Sequence, residues 1–204
     1  MQGYILKIQK MQNEDLMVFL LSQNKFIRAY RFYGARHPII TQGYKIDFEL
    51  EISGVFLPKI HSPLHLSFAW LEKRENLIIW QQFMRLMYDH LKDSDEIESF
   101  YFELLEICSH KLFKQNPKRV IIEAYLELLD FEGRLHRDFS CFLCDEIINQ
   151  KVSLARSFMP IHDTCGATQV FDLEIIKKLF NSKSTIEIDD EMVNSIYLVL
   201  LQGL

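Results

Sequence analysis

Two close pairs of soft metal ligands constrain this chain more than any other feature of its sequence. Cys141-Phe-Leu-Cys144 and His162-Asp-Thr-Cys165 are separated by seventeen residues. Thiolate sulfur and imidazole nitrogen suit Zn²⁺, and a gap of two residues lets one tight turn aim two ligands at the same ion. Four protein ligands leave no coordination position open. The spacing therefore predicts a structural zinc ion held by a zinc-binding insertion, residues 139–168.

Two other interpretations of these residues remain open at the level of sequence. Cysteine is often a small buried apolar side chain, and Cys108 lies in an apolar helical pattern typical of that role. Three of the four cysteines nevertheless fall within residues 139–168, which favours a metal site. A zinc hydrolase would instead require an open position on the metal, with three protein ligands and a water molecule.

The composition is that of an ordinary globular protein, with 49% hydrophobic and 25% charged residues in 204. Four cysteines, three of them in one cluster, do not form a disulfide framework, and we expect a reducing, cytoplasmic location. The N-terminal sequence lacks the long apolar core of a signal peptide. No apolar run approaches the roughly 20 residues needed to span a bilayer, so we expect no membrane association.

Charge is unevenly distributed along the chain. Residues 1–74 contain ten lysines and arginines and six acidic residues, a net charge of +4. Residues 75–204 contain thirteen lysines and arginines and twenty-two acidic residues, a net charge of −9. This asymmetry suggests that the N-terminal part contacts a polyanion and that the remainder contacts protein.

The first 74 residues have the pattern of a small β-barrel. In the segment 44–52, apolar residues from Tyr44 to Ile52 alternate with charged ones from Lys45 to Glu51, as in a strand with one buried side. Five strands are predicted, at Tyr4–Ile8, Leu16–Leu21, Lys25–Tyr33, Tyr44–Ile52 and Leu64–Trp70. Strands of this number and spacing favour an OB-type closed barrel over a sandwich.

From about residue 75 the apolar residues recur at helical spacing, so the predicted fold is α+β, with a helical domain over residues 75–204. Ser94 is the predicted N-cap of a second helix, and Pro117 lies in the first turn of a third. Asp172 and Asp189 are the predicted N-caps of two closing helices. Within the insertion, residues 151–159 are expected to form a short strand.

Catalytic motifs are missing from the sequence. Zinc deaminases require His-x-Glu well upstream of Pro-Cys-x-x-Cys, but the nearest candidate, His136-Arg-Asp138, lacks the glutamate and lies directly before Cys141. The phosphate-binding glycine loops and the usual metalloprotease and serine-hydrolase motifs are not found. We therefore predict a non-enzymatic protein.

Cationic residues of the barrel are interleaved with aromatic ones, including Tyr30, Phe32, Tyr33 and Tyr44. Cations neutralise phosphates and aromatic rings stack on bases, the two requirements of single-strand binding. The candidate DNA-binding residues are Lys7, Lys10, Lys25, Arg28, Arg31, Arg36 and Lys45. The alternative is that these side chains form a solvated exterior while the aromatic residues fill the barrel.

A barrel, then helices, then a zinc-binding segment, in this order and at this length, resembles the bacterial recombination mediator family RecO. Gly34-Ala35-Arg36 is similar to that family's Gly-Ala-basic turn. Leu126–Gly133 is similar to the leucine-rich helix that leads into the family's first zinc knuckle. The family usually has a second cysteine pair where this chain has His162 and Cys165. Imidazole replaces thiolate at zinc without loss of the site.

The resemblance implies a function in DNA repair and recombination. Family members bind single- and double-stranded DNA and anneal complementary strands. With RecR they help to load RecA onto DNA coated by single-strand binding protein (SSB), whose acidic C-terminal tail they recognise. The acidic character of this chain leaves a second hypothesis open, a zinc-stabilised protein-interaction scaffold that does not bind nucleic acid. Arg85, Lys111, Lys114 and Lys118 are equally eligible to contact the tail.

Overall fold

A computed structural model describes residues 1–66, 68–94, 96–166 and 169–204. The chain forms two compact units, Met1–Lys114 and Gln115–Leu204. Three predictions extend beyond the described residues. The predicted fifth strand includes residue 67, the first turn of the predicted second helix includes residue 95, and the predicted insertion ends with residues 167 and 168.

The first unit begins with a closed five-stranded barrel. Its strands are β1 (Gln2–Lys10), β2 (Leu16–Ser22), β3 (Lys25–Arg31), β4 (Lys45–Glu51) and β5 (Lys59–Leu66). Their order around the barrel is β1-β2-β3-β5-β4, and β1 pairs with both β2 and β4. Seven residue pairs join β2 to β3, whereas β3 and β5 run parallel through one described pair, Tyr30 and Lys59. The predicted OB-type barrel is confirmed.

Side chains alternate between the inside and the outside of the barrel along its strands, and the inward-facing ones are apolar. In β4, Ile46 and Phe48 are buried, as the pattern of residues 44–52 predicts, but the strand ends at Glu51 and Ile52 is exposed. The buried residues of this core are Ile5, Leu16, Val18, Leu20, Ile27, Ala29, Ile40, Ile46, Phe48 and Ile60. The core is continuous around the barrel because every strand contributes inward residues to it.

The predicted position of the fifth strand was wrong. β5 pairs with β4 from Lys59 opposite Glu51 to Leu66 opposite Lys45, so it begins five residues earlier than predicted. The alternation that suggested a strand up to Trp70 has another cause. Ala69–Glu72 is a 3₁₀ turn, and Trp70 is buried with its indole nitrogen donating to the Ser109 carbonyl at 2.7 Å.

Two helices, α1 (Arg74–Leu91) and α2 (Ser99–Lys111), belong to the same compact unit as the barrel. The ring of Tyr4 on β1 packs against Trp80 at 5.9 Å between centroids, and the Trp80 indole donates to the Gly43 carbonyl at 2.8 Å. The compact unit therefore extends to Lys114, forty residues beyond the predicted boundary after residue 74. Helical periodicity marks where the strands stop, but not which helices pack on them.

Ser94 does not cap α2, contrary to the prediction. Its backbone N–H donates to the Leu91 carbonyl, so it belongs to the turn that ends α1. The residue before α2 is Glu98, whose backbone is extended. Ile97, in the segment between this turn and the helix, is buried.

The second unit contains α3 (Pro117–Phe131), α4 (Leu173–Ser182) and α5 (Asp190–Leu200). Asp172 accepts a hydrogen bond from the Glu174 N–H and Asp189 accepts one from the Met192 N–H, which confirms both predicted caps. Between α3 and α4 lies a small sheet of β6 (Lys151–Leu154), β7 (Pro160–Ile161) and β8 (Phe171–Asp172), ordered β7-β6-β8. Within the described ranges, no helix is both long and apolar enough to cross a membrane.

Candidate metal centre and nucleic-acid interface

The two predicted ligand pairs meet at one point in the second unit. The ligand atoms of Cys141, Cys144, His162 and Cys165 all lie within 4.8 Å of one another. Cys144 Sγ is 3.3 Å from His162 Nδ1 and 4.0 Å from Cys165 Sγ. Ligands of a tetrahedral zinc ion with bonds near 2.3 Å are separated by about 3.8 Å, so the spacing matches such an ion. This is the one such group in the described part of the chain.

A tight turn after Cys141 brings the first pair together. Cys141 donates its N–H to the Glu146 carbonyl and accepts the Asp145 N–H at its own carbonyl, both at 2.8 Å. Asp145 has a φ of 61°, in the left-handed region that closes such turns. The chain then returns through β6 and β7, and His162 follows β7 directly. The sheet therefore places His162 and Cys165 beside Cys141 and Cys144.

Hydrogen bonds orient the ligands as well. The His162 backbone N–H points at Cys141 Sγ at 3.4 Å, a contact typical of metal-binding turns. The imidazole Nδ1 faces the sulfurs, while its Nε2 lies 3.4 Å from the Ile147 carbonyl. A donor bond on the outer nitrogen holds the ring with Nδ1 free to bind a metal, the arrangement usual for a histidine ligand.

The pKa values of the Cys141 and Cys165 thiols are shifted in opposite directions. Burial raises the pKa of Cys141, but N–H groups of His162, Leu143 and Cys144 outweigh it and lower the pKa to about 6. Burial raises the pKa of Cys165 to about 11, and the neighbouring sulfurs of Cys141 and Cys144 add to the shift. Three sulfurs this close cannot all ionise unless a cation lies among them. The donor set therefore fits a divalent soft metal, and its four protein ligands suit a structural role.

Three of the seven predicted DNA-binding residues are buried or half-buried against other residues of the first unit. Lys45 is only 9% exposed, and its ammonium lies 2.7 Å from Glu106 Oε1, so it is not accessible to a phosphate. Burial of Lys45 could not be read from the sequence, because its partner lies 61 residues away. Arg31 is half-buried and donates to the Ile60 carbonyl at 2.8 Å. The Lys7 ammonium lies 4.2 Å above the ring of Tyr88.

The other four predicted residues are exposed. Lys10 ends β1, and Lys25 begins β3. Arg36 forms an ion pair with Glu14 and lies over the ring of Tyr33. Arg28 lies on the outer side of β3, with its guanidinium 5.8 Å from the centroid of Phe19. Surface ion pairs are weak, so the pairing of Arg36 would not prevent contact with another anion.

Outward-facing residues of β3 form a row of rings around one cation. Ile27 and Ala29 point into the core, so Phe26, Arg28 and Tyr30 point outward, and Phe32 follows. We call Phe26, Arg28, Tyr30 and Phe32 the β3 row. The rings of Tyr30 and Phe32 are 4.9 Å apart, and the Lys59 ammonium lies 5.4 Å from Phe32. Sequence reasoning named Tyr30 and Phe32 but missed Phe26, although the two-residue period includes it.

The outer surface of an OB barrel around β2 and β3 is where this fold commonly binds single strands. In this chain the Phe26 ring is half-buried against Phe19, while Phe32 is 48% exposed. Neither Lys25 nor Arg28 forms an ion pair with any described residue. The row thus combines accessible ring surface with uncompensated positive charge.

The barrel sequence matches one known protein family. Residues 1–71 match the family model described as RecO N terminal, a range that ends close to the predicted domain boundary and includes all five barrel strands. No curated protein matches the chain. The match agrees with the closed barrel and with the Gly34-Ala35-Arg36 turn, which lies inside the matched range. Residues 1–71 of this chain are therefore similar to the N-terminal domain of the RecO family.

Proposed function

We propose that this protein is a non-enzymatic mediator of DNA repair and recombination that acts in the cytoplasm. It binds DNA, anneals complementary strands and, with RecR, helps to load RecA onto single-stranded DNA coated by SSB, whose C-terminal tail it contacts. The observation that carries the proposal is the β3 row, with unpaired Arg28 and adjacent Lys25 on an OB barrel of the RecO N-terminal type. The nucleic-acid-binding domain is residues 1–74, and the helical domain is residues 75–204.

The chemistry of binding follows from the two kinds of side chain. Phosphate neutralisation by Lys25, Arg28, Lys10 and Arg36 releases counterions and favours association. Exposed ring surface at Phe32 supplies stacking that tolerates any base sequence. The rings of Tyr30 and Phe32 lie 4.9 Å apart, edge to face, so they form one continuous patch of ring surface at the end of the β3 row.

Removing two cations is expected to weaken DNA binding in a salt-dependent way. We expect Lys25→Ala/Arg28→Ala to reduce the slope of log affinity against log salt by about 1.4 for a single strand, because two phosphate contacts are lost. Fluorescence anisotropy with a labelled 20-nucleotide strand over a salt series measures the slope.

The matched control is Lys177→Ala/Lys178→Ala, which removes the same charge from α4, where Lys177 is half-buried, Lys178 is exposed and both form ion pairs. This variant should bind as the unmodified protein does. A slope near zero for the unmodified protein would contradict the proposed role of the barrel. An equal loss in both variants would show that net charge, rather than the β3 row, governs binding.

We also propose that Cys141, Cys144, His162 and Cys165 hold one structural Zn²⁺. Their mutual distances, the Cys3His donor set and the hydrogen bond that orients His162 support this assignment. The ion would fasten the loop after Cys141 to the end of β7. It would supply folding free energy to the second unit and take no part in a reaction.

The charge of the remaining chain favours a second candidate, a protein-interaction scaffold with no nucleic-acid contact. Residues 75–204 carry a net charge of −9, which repels a polyanion. A strand-annealing assay with SSB-coated complementary strands separates the two candidates. Acceleration of annealing supports the mediator. Retention of RecR or SSB in a pull-down, with no DNA binding at low salt, selects the scaffold.

A further inference from the structure

The tight turn that carries the first ligand pair also presents apolar side chains to solvent. Phe142 and Leu143 are each 59% exposed, and Ile147 is 70% exposed. They do not anchor the turn, because buried Phe139 and Ile148 do so at its base, where the Ile148 N–H donates to the Phe139 carbonyl at 3.0 Å. Exposed apolar side chains concentrated in one turn mark an interaction site.

Carboxylates border these apolar side chains. Asp145 and Glu146 lie in the same turn and are exposed, and so is Asp163, beside the ligand His162. Neither Asp145 nor Glu146 forms an ion pair with a described residue. The segment 138–150 contains no lysine or arginine, so the turn repels nucleic acid and suits a cationic partner. We define the knuckle tip, which is apolar and negatively charged, as Phe142, Leu143, Asp145, Glu146 and Ile147.

The first unit contains a groove of the opposite charge. Its volume is about 680 Å³. Glu49 is the single carboxylate among its described lining residues. We define this barrel groove by two cations and three apolar residues of its lining, Lys25, Arg28, Leu50, Ile52 and Pro58. Neither cation forms an ion pair with a described residue, so the groove is apolar and carries uncompensated positive charge.

We propose that the knuckle tip of one chain docks in the barrel groove of a second copy. Asp145 and Glu146 then face Lys25 and Arg28, while the apolar side chains of the tip cover those of the groove. A second copy is the occupant because one chain carries both complementary surfaces, an apolar turn with two unpaired acids and an apolar groove with two unpaired cations. A contact between two different surfaces is head-to-tail, so it can add further copies.

The contact is weak, because the knuckle tip is a single turn and buries less than the roughly 1,200 Å² of a stable interface. Its charge pairs weaken further as salt is added. One consequence rests on the proposed function, in which Lys25 and Arg28 contact phosphates. A DNA strand and the knuckle tip of a second copy then compete for the same two cations, so DNA-bound protein does not self-associate.

Sedimentation velocity at about 0.1 mM protein and low salt tests the inference. The unmodified protein should associate in a concentration-dependent way and sediment as single chains at about 0.5 M salt. Asp145→Lys/Glu146→Lys and Lys25→Glu/Arg28→Glu should each remain single chains, because like charges face each other. An equimolar mixture of the two variants should associate again, because each reversed surface meets its complement on the other variant.

Two further variants separate the apolar contact from the charge. Leu143→Ser keeps every charge and should weaken self-association about 10-fold. The matched control, Glu103→Lys/Glu187→Lys, reverses two exposed carboxylates outside the knuckle tip and should associate as the unmodified protein does. All variants change exposed side chains, so each should unfold at the same temperature as the unmodified protein.

Single chains at every concentration of the unmodified protein would overturn the inference and leave the proposed function intact, since DNA binding is measured separately by anisotropy. Association that persists in both charge-reversed variants, or that their mixture does not recover, would assign self-association to other surfaces and contradict the docking. Addition of a single strand should dissociate the assemblies. Assemblies that persist on saturating DNA would contradict the competition.

Discussion

Replacement of Cys141 by serine is expected to abolish stoichiometric zinc and to unfold the unit formed by residues 115–204. Cys141 is the buried member of the ligand cluster and the sulfur with the lowered pKa, so it is the thiol best prepared to bind a metal. Loss of a structural metal is one of the few changes that lower the free energy of unfolding by more than about 4 kcal/mol. Elemental analysis of the purified protein and thermal unfolding with and without a chelator measure the two effects.

Two further variants separate metal binding from the loss of a thiol. Cys108→Ala removes the cysteine of the first unit and should retain one zinc ion per chain. His162→Cys should also retain zinc, because thiolate replaces imidazole in tetrahedral sites, whereas His162→Ala should not. Protein purified without chelators that contains no metal, and that unfolds at the same temperature as Cys141→Ser, would contradict the assignment.

A second large effect is expected at the ion pair of Lys45 and Glu106. Glu106 Oε1 lies 2.7 Å from the Lys45 ammonium and accepts the Tyr4 hydroxyl at 2.7 Å, so one carboxylate joins α2 to β1 and β4. Burial raises the pKa of Tyr4 far above its usual value, and Glu106 adds to the shift. Tyr4 is therefore a neutral donor to Glu106 at neutral pH.

Glu106→Ala should destabilise the first unit by about 3 kcal/mol, because the Lys45 charge would remain buried without a partner. The estimate is at the lower end of the usual range since Glu106 is 28% exposed. Urea denaturation measures the free energy of unfolding. The paired variant Lys45→Met/Glu106→Leu should recover most of the loss, because replacing both charges with apolar groups is close to neutral. Equal destabilisation by the single and paired variants would show that packing at Glu106, not charge, is responsible.

The sequence predicted best where one residue pattern determines one structural outcome. Strict alternation over residues 44–52 identified β4, and the acidic caps Asp172 and Asp189 located the starts of α4 and α5. The clustering of Cys141, Cys144, His162 and Cys165 was predicted from residue type and spacing alone, because a gap of two residues implies a turn of fixed size.

Predictions failed where a distant part of the chain decides the outcome. Lys45 has the alternating neighbours of a solvent-facing residue, yet α2 covers it and supplies Glu106. Trp70 fits the alternation of a strand, but its indole is fixed by the Ser109 carbonyl. Ser94 is a good capping residue that instead ends the preceding helix. In each case local propensity was overridden by packing between elements, which no window of sequence contains.

The parallel seam between β3 and β5 has a consequence for local opening of the barrel. Tyr30 and Lys59 form the one described residue pair along this seam, and it is crossed by hydrogen bonds from the Tyr30 N–H to the Pro58 carbonyl and from Arg31 to the Ile60 carbonyl. Seven residue pairs join β2 to β3 on the other side of β3. We therefore expect backbone amides along the β3–β5 seam to exchange with solvent sooner than those of the β2–β3 ladder.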